Sequence, residues 1–266
     1  MIGLNTLRIS SIFMPFFTFL AGAAGFYIRF LERLSAYDAQ TGLPERGATI
    51  TYVLIAFSAV FLVVVLMFSI RVTTKHKVPS GFENAFGTDP TAYPVSFALI
   101  GLFWLAATVL YYLSLEVFWP LPTTDLIFIL LSALSAISVA FFAIEMFQDP
   151  NHKSKYALSI IPSIFVCFWL VVVYRQNASN PVLLSYCYQC LAIISSALGF
   201  YFTSGFVFNK PAPGKTVFCY SAAAYFCFVS LADEQAISLK LIVIAMIAVN
   251  VIHSSMLIRH LQWKEG

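Results

Sequence analysis

The sequence predicts an all-α polytopic integral membrane protein: a bundle of about eight transmembrane helices in one domain, 1–266, with both termini cytoplasmic. Three observations predict it. Hydrophobic residues make up 60% of the chain and charged ones only 10%, where a soluble domain of this length carries about 25% charged. Apolar runs of about 20 residues, the length that crosses a bilayer core as helix, recur from end to end. Lys and Arg also alternate in abundance between successive connections. The net charge of +3 is small and scattered, so no nucleic-acid partner is read from it, and the lipid bilayer is the partner the composition implies.

The first span, 10–30, follows Arg8 and ends at Arg29. Its rival reading is a cleavable signal peptide, suggested by "AGAAG" at 21–25, but the apolar run continues through Phe26 and Tyr27. "GFYIRFLERLSAYDAQTGLPERG", 25–47, then packs six charged residues into a chain where charge is scarce. Arg29, Glu32 and Arg33 share one face by i, i+3, i+4 spacing if the helix continues. Gly42, Pro44 and Gly47 break it. This region reads as a helix extension and turn at the membrane surface, with a recognition loop for an anionic or zwitterionic ligand as the sharper alternative.

The second span, 49–70, runs into the basic loop 71–93, suited to anionic lipid, within which "GFENAFG" allows a short interfacial turn. The third, 94–117, ends at Glu116, and the fourth, 125–147, opens on Asp125. Ser132, Ser135 and Ser138 form a small-residue row that suits close helix packing. Glu145 and Asp149 stand one turn apart at the end of span four, where the helix dipole opposes them. Local charge balance with His152, Lys153 and Lys155 is one reading, and an inner-surface cation or headgroup site the other.

The fifth and sixth spans are 156–175 and 181–208, the latter opened by Asn180-Pro181. "CYQC" places Cys187 and Cys190 at redox spacing around Gln189, a turn or two inside that span, where thiols pack well and stay inert. The seventh span is 215–232. Asp233 and Glu234 precede the eighth, 236–259, where a helix dipole favours negative charge. Within it Asn250, His253 and Ser254 share a face. An imidazole in a wet cavity titrates near neutrality, so His253 is the leading candidate for a ligand or proton role, with Asn250 beside it; an interhelical hydrogen bond is the alternative for both.

Alternate connections carry ten Lys and Arg against five, which puts both termini inside and fits an even number of spans in a plasma or inner membrane. Two sets of four spans, about 1–150 and 151–266, would suit a weak parallel repeat. Protease, hydrolase and dinucleotide motifs are missing. Nothing calls for a cofactor or a metal, and no catalytic residue is assigned. A small-molecule or ion permease leads, with His253, Asn250, Gln189, Glu116 and Arg29 as its pathway. A membrane enzyme on lipid or thiols and a sensor or assembly subunit follow. An open cavity to Asn250 and His253 would favour the first, and a closed, dry bundle the last.

Overall fold

The computed structural model describes residues 2–38, 43–45, 47–77, 82–86, 92–115, 122–145, 160–179, 182–208 and 210–263. These form α1 (Ile2–Ser35), α2 (Thr49–Lys75), the single-turn α3 (Phe82–Phe86), α4 (Ala92–Ser114), α5 (Thr123–Glu145), α6 (Ile160–Gln176), α7 (Cys187–Val207), α8 (Pro213–Ser230) and α9 (Ile237–Arg259). A two-residue antiparallel ladder, β1 (His76–Lys77) with β2 (Gln262–Trp263), ties the chain's last turn to the end of α2.

Eight long helices stand where the eight spans are expected, and six of them are long and apolar enough to cross a membrane. Two fall short of that criterion. α6 has 17 described residues. α8 has the length but not the hydropathy, for a reason that matters below. Fourteen of its 18 residues are buried, and it is ringed by α1, α2, α7 and α9. A helix that meets protein on every side needs groups that pack and hydrogen-bond, so its sequence is rich in Ala, Ser, Cys and Tyr. Lipid contact falls instead to faces such as Val60, Val63, Leu66 and Met67 on α2 and Leu99, Leu102 and Leu113 on α4, all exposed.

Helix approach depends on small residues. A Cβ at Gly25 of α1 would lie 2.8 Å from Val229 of α8, and one at Gly101 of α4 would lie 2.8 Å from the Ala136 carbonyl oxygen of α5. The serine row of α5 serves that second contact, as its small-residue pattern implies. Ser132 accepts from Trp104 Nε1 at 3.1 Å and shares a 2.7 Å hydrogen bond with Thr108 of α4. Polar pairs also clamp α2 to α8: Ser58 and Tyr225 at 2.7 Å, and Ser69 Oγ donating to the Gly214 carbonyl at 2.7 Å.

The helices alternate in direction. The ends of α1, α4, α6 and α8 and the starts of α2, α5, α7 and α9 gather at what we call the Asp233 end. The opposite, Lys210 end is closed in part by α3, whose Phe82 and Phe86 are buried. Within the "GFENAFG" segment, Phe82–Phe86 is thus a short helix folded against the bundle.

Candidate functional site

Two groups of polar residues lie inside the bundle, and they differ in kind. The first is at the Asp233 end. α1 continues beyond the expected span limit to Ser35, closing with the Ala36 amide on the Glu32 carbonyl at 2.8 Å. That extension carries Arg29 and Glu32, whose side chains meet at 2.7 Å as their spacing foretells. It does not run along the surface: both residues are fully buried. Arg33 turns away from this pair to Glu234, at 2.8 Å.

Arg29 is held by three segments of chain. Its Nε donates to Asp233 Oδ1 at 2.8 Å, its Nη1 to Glu32 Oε2, and its Nη2 to the Leu184 carbonyl at 2.8 Å. The guanidinium also stacks over Tyr188, 5.0 Å from the ring centroid. Glu32 is completed by Thr51 of α2, which donates at 2.6 Å. A buried ion is tolerated only when its charge and its hydrogen-bonding groups are both answered, and Arg29 and Glu32 meet that condition.

Asp233 does not meet it. The turn after α8, with the Ala232 and Asp233 amides bonded back to Val229 and Ser230, swings this residue inward. α9 begins only at Ile237, so Asp233 serves Arg29 rather than the helix dipole expected from the sequence. Oδ1 is bonded, but Oδ2 is buried without a hydrogen-bond partner among the described residues, as is Gln235 Oε1. Burial pushes the Asp233 carboxyl up to about 6, against the downward pull of Arg29.

Asp233 and Gln235 line a pocket of about 380 Å³, together with Arg33, Asn177, Gln189 and Glu234. This volume is in the range of small-molecule sites. The pocket's polar walls are the distinguishing feature.

The second group lies deeper. Asn250 Nδ2 donates to Ser196 Oγ of α7 at 3.2 Å, while Asn250 Oδ1 has no hydrogen-bond partner among the described residues. The His253 ring is fully buried among Tyr220, stacked at 5.2 Å, Phe97 at 4.8 Å and Phe86 of α3 at 5.6 Å. Tyr220 in turn bonds Thr203 at 2.5 Å. Gln189, Ser196 and Thr203, seven residues apart, are all buried on α7, giving a polar row that leads inward from the pocket.

The candidates read from sequence are therefore divided. Arg29 and Gln189 belong to the Asp233 end, whereas Asn250 and His253 are packed in the interior and line neither the Asp233-end pocket nor the apolar one at the Lys210 end. Proton exchange at His253 presumes a wet ring, and the ring is enclosed by aromatic neighbours. Glu116 and Asp149 lie outside the described residues, as does the side chain of Glu145. Residues Asn180 and Pro181 do too, and α7 starts later than expected: Cys187 is its first residue, not a turn or two inside. Cys187 and Cys190 are free thiols, both partly buried. Glu32, Asp233 and Gln235 are the site residues that sequence reasoning missed as site residues. For Glu32 and Asp233 the signal was the scarcity of charge itself, since a buried Arg demands acidic partners; Gln235 carried none.

At the Lys210 end, a larger pocket of about 650 Å³ is walled by Tyr201, Phe202 and Phe208, with Lys210 and Ser204 at its edge. Its lining suits hydrocarbon and distinguishes no ligand.

No family model, no curated protein and no solved structure matches the chain.

Proposed function

We propose that this protein is a permease-like membrane bundle that binds a small polar solute at its Asp233 end. The observation that carries the reading is the pocket itself. In a bundle dominated by apolar side chains, it is bordered by the buried Asp233 and by Arg33, Glu234, Gln189 and Gln235. Intramembrane and near-membrane ionisable groups are expensive, and they are characteristic of solute and ion paths. The polar row on α7 extends the reading from binding toward passage. The dry surroundings of Asn250 and His253 mean that the path beyond Gln189 is closed in this conformation, so transport requires α7, α8 and α9 to separate.

The excess of Lys and Arg at the opposite end favours an Asp233 end facing outward and a cytoplasmic Lys210 end. Asn177→Cys and Lys210→Cys, each in a background without the native thiols, test this. An impermeant maleimide should label the first in intact cells and the second only after permeabilisation; the reverse pattern inverts the orientation.

The functional test starts with protein in lipid nanodiscs, screened by thermal shift against small amines, amino acids, carboxylates and sugars. Solutes that stabilise it are then assayed for exchange across proteoliposomes. Binding with exchange supports a permease. Binding without exchange moves the reading to a membrane sensor, which the closed interior favours. Stabilisation by none of these classes overturns both.

A further inference from the structure

We infer that the Asp233-end pocket recognises a cationic amine, and that this ammonium group and a proton occupy Asp233 Oδ2 in alternation. The inference rests on the solute-binding reading above and names the class of solute.

Charge is the first argument. Arg29 faces two buried carboxylates, Glu32 and Asp233, leaving one negative charge over. Arg33 also acts on Asp233 but pairs with Glu234, so the two arginines and three carboxylates still sum to one negative charge. Among the other elements around Asp233, the segment after α1 brings Tyr37, and the start of α7 brings Cys187 and Tyr188, none of them cationic. Lys240 of α9 does not line the pocket. A single positive charge is what the cluster lacks.

Hydrogen-bonding capacity is the second argument. Two residues that line the pocket, Asp233 and Gln235, each keep a buried side-chain oxygen without a hydrogen-bond partner among the described residues, and both oxygens are acceptors. Asp233 is 3% exposed, so water meets its need poorly. An ammonium brings three donors and a unit charge together. A carboxylate or phosphate would bring more acceptors to a place that already has too many, and would find Arg33 engaged.

The alternation follows from the single unpartnered Asp233 oxygen, which a proton or an ammonium could each complete, and burial favours the proton. With burial holding that carboxyl near 6, a proton supplies the missing charge in mild acid, and near pH 7.5 the site stands ready for another cation. Binding of an amine at pH 6 then displaces about half a proton, as linkage requires. In a permease this exchange would couple amine movement to a counter-moving proton.

The test uses ethanolammonium, with glycolate as its anionic match and ethylene glycol as its neutral one, titrated calorimetrically into the protein in nanodiscs. Ethanolammonium should bind at pH 7.5, about tenfold more weakly at pH 5.0, and with proton release at pH 6 seen as a buffer-dependent heat. Asp233→Asn should abolish binding. Should that variant fail to fold, Gln235→Ala should weaken binding several-fold, and proton release by the unaltered protein decides the matter alone. Preferential binding of glycolate or ethylene glycol with no pH dependence would overturn the inference while leaving the solute-binding reading intact. Equal heats from sodium chloride would overturn the amine assignment. Silence from all three solutes, together with failure of the wider screen, would remove both readings.

Discussion

Asp233 and His253 are both titratable and both buried, yet they occupy opposite kinds of surroundings. Asp233 meets Arg29 through one oxygen, keeps the other without a partner among the described residues, and borders a polar pocket. His253 is wrapped by Tyr220, Phe97 and Phe86 and borders neither end pocket. A polar side chain within a bundle is thus no site by itself. It becomes one where its hydrogen-bonding capacity is left incomplete beside an opening.

The sharpest way to break this contrast is to remove the cation of the charged cluster. Arg29→Leu leaves Glu32 and Asp233 buried with like charge, and should cost about 3–5 kcal/mol. Thermal unfolding in nanodiscs should show a large fall in Tm or no folded protein. Combining it with Glu32→Gln and Asp233→Asn should recover much of that loss; without recovery, Arg29 would matter through packing rather than charge.

A smaller effect is expected from pH. The Asp233 carboxyl takes its proton near 6 in the folded protein and near 3.8 when unfolded. Folding therefore binds a proton between these values. This stabilisation is fully present below about 3.8 and is lost as pH rises through 6. Its full size is on the order of 2–3 kcal/mol, or roughly 5 °C in Tm. Asp233→Asn should flatten that part of the Tm–pH curve. An unchanged slope would mean that Asp233 shares its proton with no pH-dependent folding step.

The least effect is expected at the enclosed ring. His253→Phe keeps the aromatic contacts but loses the ring's hydrogen bond to the Val249 backbone, so it should cost about 0.5–1.5 kcal/mol and leave solute binding as it was. Loss of binding in a stable His253→Phe protein would reverse the comparison and return His253 to the centre of the site.

Parts of this were legible in the chain. The i, i+3 spacing of Arg29 and Glu32 foretold their contact, and the serine row of α5 foretold close packing on α4. The charge-dense stretch 25–47 includes Arg29, Glu32 and Arg33, which stand at the same end as the polar pocket. What spacing did not reveal is that Arg29 points inward, because its second carboxylate lies 204 residues away, in the turn before α9. Likewise, the polar face of α9 was correctly read as Asn250, His253 and Ser254, all buried. Whether that face meets water or aromatic rings depends in part on Phe86 of α3, which lies in the connection between two other helices. α8 carried a hint in its Ala, Ser and Tyr content, since a lipid-facing helix has little use for them.

The sequence by itself determined the solvent, the all-helical class and the number and place of the long helices. Length and hydropathy are local properties, and a bilayer core about 30 Å thick measures them one segment at a time. The tertiary structure decided which polar groups meet. An ion pair at 2.8 Å or a ring stacked at 5.2 Å depends on which helices become neighbours and how each is rotated. Those choices are fixed by packing between segments far apart in the chain, and α8, ringed by four other helices, is where most of them converge.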